Sequence, residues 1–236
     1  SAADFSPGLL ARESIATAFG QHFSIETHIA STLPLPVQLA GAQIVVRDSA
    51  GIEHSAPLFF VSPTQINFQV PAAATVGLAT VTIRNAFKPV ATSTIEIAET
   101  APSLFSADSS GRGFPAGVLM RVQNDSRVNY EPLTRYDTIQ ARHIALPIHF
   151  GQEDEELYLV LFGTGFRHHN GSTIARLDGV EVPVLFAGAQ GETADGLIGL
   201  DQINLSLPRS FAGRGEIELT VIINGQSSNS LQLVIK

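Results

Sequence analysis

The chain has 236 residues, 44% of them hydrophobic and only 15% charged, against about 25% charged in an average globular domain, a balance that belongs to a packed chain and excludes a disordered one. Its formal net charge is −8, and an acidic surface repels phosphate backbones, which argues against nucleic acid as a partner. The absence of cysteine removes disulfides, thiol nucleophiles and thiolate metal sites, and no window of ~18 consecutive apolar residues offers a transmembrane segment.

Taken in order, Phe5-Ser6-Pro7-Gly8 reads as a turn that delivers a strand over 14–19, which Gly20 ends. Residues 21–40 scatter Ile25, Ile29, Leu33, Leu35, Val37 and Leu39 around two prolines, an irregular crossing and not a helix. A strand over 43–47 runs into Asp48-Ser49-Ala50-Gly51, which is hairpin-turn chemistry. Strands over 58–61 and 65–70 follow, and strands over 79–84 and 91–98 flank a turn around 86–89. No stretch sustains a 3.6-residue apolar period, and short strands separated by turn signals about every 8 to 12 residues predict an all-β antiparallel fold.

Residues 99–150 read differently. Ala101-Pro102-Ser103-Leu104-Phe105 is a linker pinned by apolar residues, and Asp108-Ser109-Ser110-Gly111-Arg112-Gly113 is a flexible loop. A strand over 116–122, a turn at Asn124-Asp125-Ser126 and a return strand over 128–130 make a hairpin. Beyond it, residues 151–236 carry the acidic run Glu153-Asp154-Glu155-Glu156 and strands over 157–162, 173–177, 180–186, 202–207, 216–223 and 230–235. Asn224-Gly225 between the last two is a strong type I′ hairpin signal.

The strongest signal is internal. Gln65-Ile66-Asn67-Phe68-Gln69-Val70-Pro71 returns as Gln202-Ile203-Asn204-Leu205-Ser206-Leu207-Pro208. Both alternate apolar and polar residues and stop at a proline, as a half-buried strand does. Three further blocks recur in the same order. Ser14-Ile15-Ala16-Thr17-Ala18-Phe19-Gly20 matches Leu157-Tyr158-Leu159-Val160-Leu161-Phe162-Gly163, Ala56-Pro57-Leu58-Phe59-Phe60-Val61 matches Val182-Pro183-Val184-Leu185-Phe186-Ala187, and Gly77 to Ile83 matches Gly215 to Val221. Four ordered blocks imply duplication. The expected fold is therefore all-β, with two tandem immunoglobulin-like antiparallel β-sandwiches, 1–98 and 151–236, joined by a linker and β-hairpin insert over 99–150.

The blocks also carry a resemblance. Pro7-Gly8-Leu9-Leu10 with the strand after it, and Leu161-Phe162-Gly163-Thr164-Gly165-Phe166, resemble the opening of TIG/IPT immunoglobulin-like domains. The run from Ala56 to Pro71, together with Ala101 to Phe105, is similar to the Solibacter C-terminal domain family of acidobacterial exported proteins. That resemblance implies an exported, non-catalytic module with no functional residues to carry over. Composition points the same way, with no Cys, two Lys (Lys88, Lys236) and abundant Ser, Thr and Gly. An extracellular or cell-surface location is expected. With no initiating methionine or leader in view, the chain reads as a monomeric fragment of a larger protein.

Chemistry is sparse. No Gly-x-Ser-x-Gly occurs, and the chain is not expected to be an enzyme. The seven histidines lack helical His-x-x-x-His spacing, and His168-His169 read as exposed loop residues. No cofactor is expected; the run 153–156 could offer oxygens to calcium but does not follow an EF-hand spacing, so a solvated acidic face is the plainer reading. Arg121, Arg127, Tyr130, Arg135, Tyr136 and Arg142 gather in the insert, and Arg and Tyr are enriched at binding hot spots. They are the candidate site for a protein or glycan partner. The alternative reading has the two tyrosines packing the halves together and the arginines neutralising the acidic second half, where residues 151–236 hold 11 acidic and 5 basic residues.

Overall fold

The computed structural model describes residues 1–86, 88–191 and 198–236. It is all-β, 52% strand and 1% helix, in several antiparallel sheets consistent with β-sandwich packing. The first half contributes β1 (Leu9–Ala11), β2 (Ile15–Phe19), β3 (His28–Ile29), β4 (Ala42–Arg47), β5 (Glu53–Ser55), β6 (Leu58–Val61), β7 (Gln65–Gln69), β8 (Gly77–Asn85) and β9 (Lys88–Ala98). They form a five-stranded sheet ordered β1-β9-β8-β4-β5 and a four-stranded sheet ordered β2-β7-β6-β3. The two share one buried cluster, Ala16, Leu58, Ile66 and Phe68 meeting Ile44, Val46, Val81 and Ile97. Of the turn expected around 86–89, Phe87 lies outside the described residues.

The remainder supplies β10 (Ser103–Leu104), β11 (Gly117–Val122), β12 (Val128–Pro132), β13 (Thr134–Asp137), β14 (Arg142–Ala145), β15 (Glu156–Thr164), β16 (Thr173–Leu177) and β17 (Val180–Val182). After these come β18 (Val184–Ala189), β19 (Asp201–Ser206), β20 (Gly215–Ile223), β21 (Gln226–Ser227) and β22 (Leu231–Ile235). One sheet runs β12-β11-β15-β19-β18 with β10 also on β15; a second runs β17-β16-β20, with β21 and β22 on β20. Between them lies a second cluster that includes Leu159, Leu161, Ile203, Leu205, Leu177, Leu219 and Val221. Each fully buried Leu or Ile contributes roughly 1.5–3 kcal/mol of transfer free energy.

The sequence repeat returns as repeated local structure. In β7, Ile66 and Phe68 are buried while Gln65 Nε2 donates to Asn67 Oδ1 at 2.9 Å on the other face; in β19, Ile203 and Leu205 are buried and Gln202 Nε2 donates to Asn204 Oδ1 at 2.8 Å. The ladder register slips between Leu58 and Phe60 in the first half, and between Val184 and Phe186 in the second. Leu10 pairs in parallel with Ile97, as Ile148 does with Ile235. Phe23 and Phe166 are each buried against a glycine three residues earlier: a Cβ on Gly20 would come within 2.5 Å of the Phe23 ring, and one on Gly163 within 2.7 Å of the Phe166 ring.

Two expectations are corrected. Residues 180–186 are not one strand: β17 pairs with β16 in one sheet, β18 pairs with β19 in the other, and Pro183 stands between them. Proline has no N–H to give to a ladder, so the chain changes sheet there, and Pro57 occupies the same place between β5 and β6. The stretch 99–150 contains the expected hairpin, but it is no free-standing connector. β11 pairs with β15 along six residues, and Leu104, Leu119, Leu133, Ile148 and Phe150 enter the second cluster. A second hairpin, β13–β14, follows; its turn is held by Asp137 Oδ1, which accepts from the Ile139 and Gln140 amides, both at 2.9 Å.

The β4–β5 turn closes around Asp48, whose Oδ1 accepts from the amides of Ala50 (3.0 Å) and Ile52 (2.9 Å), and whose Oδ2 accepts from the Thr75 amide (2.9 Å) and faces His54 Nε2 (2.9 Å). The Thr75 amide first, then His54, holds this carboxyl well below the usual carboxylate range. A depressed folded-state pKa contributes stability that is complete above the unfolded value, about 3.9, and is lost as pH falls below it. Asp48→Asn is expected to lower the Tm at about pH 7 and to shrink the further drop that the unmodified chain shows between about pH 4 and pH 2, read by calorimetric melting across that range.

Candidate functional site

The six insert residues separate into one structural arginine and a set of exposed side chains. Arg121 of β11 lies opposite Leu157 in register, on the core-facing side of its sheet. Its guanidinium donates to both carboxylate oxygens of Glu131 (2.5 and 3.2 Å), to Glu155 Oε2 (2.8 Å) and to the His149 carbonyl (2.8 Å), and the residue is 8% exposed. The Glu131 bonds, against the opposing pull of burial, raise its pKa. Four of its five N–H groups are engaged inside the fold, which leaves little for a partner.

The others face solvent. Arg127 pairs with Asp125 of its own turn at 2.6 Å, Arg135 stands 3.9 Å from Asp137, and Arg142 donates to Gln140 Oε1 at 2.8 Å. Tyr130 is 65% exposed and Tyr136 54%, the latter edge-on to His143 with ring centres 5.4 Å apart. The tyrosines therefore do not pack the halves together. On β12, Glu131 and not Tyr130 lies opposite buried Leu119, so the alternation of the strand turns Tyr130 away from the core. The arginines' expected neutralising role holds for Arg121 with Glu155.

The halves meet instead through polar groups that the sequence reading did not single out. Thr164 Oγ1 accepts from the Ile15 amide at 2.9 Å and donates to the Gly199 carbonyl at 2.7 Å. Next to it, Glu13 lies 2.5 Å from His168 Nε2 and 3.8 Å from Arg167 Nη1. Arg167 Nε donates to Asp201 Oδ1 at 2.8 Å, and Asp201 Oδ2 accepts from the Phe166 amide, also at 2.8 Å. Asp201 has no exposed surface; burial pushes its carboxyl up, while Arg167 and the two amides pull it down. His168 and His169, expected in an exposed loop, are only partly exposed, because His168 docks on Glu13 of the first half and His169 Nε2 meets the Ala187 carbonyl at 2.9 Å. One signal was available: Asp201 occupies the place that Thr64 holds before the first Gln-Ile-Asn, so an acid appears where the repeat predicts a neutral residue.

The acidic run does not converge on a point. Glu155 answers Arg121, Asp154 accepts from Asn124 Nδ2 at 2.7 Å, and Glu156 accepts from the Tyr158 hydroxyl at 2.6 Å. Among the described residues no group of three or more His, Asp or Glu is placed to hold a metal ion. No protein-family model matches the chain, and no curated protein matches it; the likeness to the Solibacter C-terminal and TIG/IPT families rests on the motifs alone.

Truncating one member of a buried charge cluster leaves the others uncompensated. Arg121→Ala is expected to cost about 3 kcal/mol in a urea denaturation series, whereas Arg127→Ala, at an exposed pair, stays within about 0.5 kcal/mol of the unmodified chain.

Proposed function

We propose that the chain is a non-catalytic, exported or cell-surface module in which two immunoglobulin-like, TIG/IPT-like β-sandwiches stand in tandem as a stiff spacer or display element. The observation that carries this reading is the junction around Thr164, Glu13, Arg167 and Asp201. A flexible tether needs no buried carboxylate and no hydroxyl hydrogen-bonded at once to both halves, whereas a spacer of fixed geometry does. The repeated sheet order, the shared bulge and the sheet change at Pro57 and Pro183 support the tandem reading. Composition and the motif likeness support export.

A second reading has its own observation. Tyr130 and Tyr136 are exposed, with Arg127 and Arg135, and Ile139 at the tip of the β13–β14 hairpin is 94% exposed. That margin suits a protein or glycan partner in chemical type. Loss of partner capture in a Tyr136→Ala/Arg135→Ala variant, with its melting curve unchanged, would favour recognition over spacing.

The spacer reading is tested by pulsed electron resonance on spin labels at Glu53→Cys and Glu181→Cys, one in each half on exposed strands. A single narrow distance distribution is expected, broadened by Glu13→Ala with Thr164→Val while circular dichroism stays the same. A broad distribution in the otherwise unmodified chain would refute stiffness.

A further inference from the structure

The two halves fill their cores differently at matching positions. β15 and its approach place Leu157, Leu159 and Leu161 in the second cluster, where the first half has Ser14, Ala16 and Ala18. Across the interior, Leu231 of β22 pairs with Leu219 of β20; the matching pair in the first half is Ser93 of β9 with Val81 of β8. Small residues thus replace leucine on both facing walls of one core. What remains is a cleft of about 420 Å³ between the two sheets, walled by Ala16, Ala18, Phe68, Phe23 and Ala91 and open to solvent beside Ser93. Among the described residues no Asp, Glu, Lys, Arg or His side chain lines it; the charge at its edge is the α-ammonium of Ser1, which donates to the Ser6 carbonyl at 2.9 Å, and Ser93 sets a hydroxyl-bearing residue at its mouth. Phe19, 61% exposed on the rim, leans on Phe5 with ring centres 5.6 Å apart.

We propose that this cleft is a binding site for a neutral, linear alkyl molecule with a hydroxyl or similar uncharged polar end. Its volume falls in the range of ligand pockets, about 300–1,000 Å³. Apolar walls in contact with water favour an apolar guest, whose binding removes that surface from solvent. The lining follows residues 16–19 of β2 and 91–95 of β9, which suits an extended chain. With no carboxylate among the described lining residues, a cationic head group loses its hydration without a partner. The hydroxyl of Ser93 serves an uncharged end. This inference does not rest on the spacer reading.

The test uses N-phenyl-1-naphthylamine, an uncharged apolar fluorophore, titrated into the full chain and displaced with 1-decanol or with decylammonium. Saturable binding of about one probe per chain is expected, with 1-decanol displacing it at least about tenfold more effectively than decylammonium at neutral pH. Ala16→Leu with Ala18→Leu, which copies the second half's packing, is expected to weaken binding by at least about tenfold while the Tm stays level or rises. Ser93→Leu, at the mouth, gives the same answer if the double variant does not fold. If neither folds, the methyl resonances of Ala16, Ala18 and Ala91 in the unmodified chain are expected to shift on adding 1-decanol. Absence of saturable binding, equal displacement by decylammonium, binding undiminished in a folded variant, or unmoved methyl resonances would overturn the proposal.

Discussion

Two strands, β7 and β19, occupy interior positions in their sheets, β7 between β2 and β6 and β19 between β15 and β18. A strand paired on both edges has its register set twice, and its side chains can satisfy only one face with apolar contacts unless the other is covered too. Here the apolar face is Ile66 and Phe68, or Ile203 and Leu205, and the opposite face is a Gln and an Asn bonded to each other along the strand. A slip of one residue would drive those amides into the core and the Ile and Phe out of it. The neighbouring strand, the bulge that bends it and the proline that sends the chain to the other sheet are all placed relative to that fixed ladder.

The junction obeys a different economy of forces. Asp201 has no contact with water, and a buried carboxylate is tolerated only when its oxygens are bonded. The Phe166 and Arg167 amides and the Arg167 guanidinium meet that need from within the second half, and Arg167 then reaches Glu13 in the first. Thr164 adds a hydroxyl that accepts from the Ile15 amide of the first half while donating to the Gly199 carbonyl of its own, so a displacement of one half against the other breaks the Thr164–Ile15 bond together with the Glu13 contacts. Directional bonds of this type fix orientation, whereas purely apolar contact tolerates sliding.

Period-two patterning is a property of the residues themselves, so strands such as 173–177 and the type I′ turn at Asn224-Gly225, where both residues have positive φ (50° and 81°), could be read directly. Pro183 was visible too, but a strand broken by a proline looks the same in sequence whether the chain continues in one sheet or crosses to another. The β13–β14 hairpin carries alternating Arg, Tyr and His with no apolar face to mark it, and its turn depends on a single Asp137 side chain. Of the candidate site, Arg and Tyr content was legible, but exposure was not: Arg121 and Arg127 are the same residue type six positions apart, and only the pairing of β11 with β12 and β15 decides that one is enclosed and the other free in solvent. The junction was hidden because its members come from three separate stretches, Glu13, Thr164 with Arg167, and Asp201, and only the last departs from what the repeat predicts.

The unequal cores follow from the side chains at matching positions of the sequence repeat. The second half has leucine at the three β15 positions and an extra hairpin, β11–β12, widening the sheet beside them. The first half keeps alanine and serine there, although leucine packs without difficulty at the matching positions of the second half. Large-to-small differences in a core cost stability unless the neighbours close the gap. Here they have not closed it: Ala91 is only partly buried and Ser93 is exposed, although Val81 opposite it in the ladder is buried. Drift alone has a simple remedy in any of several single substitutions to a larger aliphatic residue, since cavity-filling changes are among the common routes to added stability. An opening bounded on both walls by small side chains, free of carboxylates in its described lining and edged by aromatic rings has the form of a space kept for a guest.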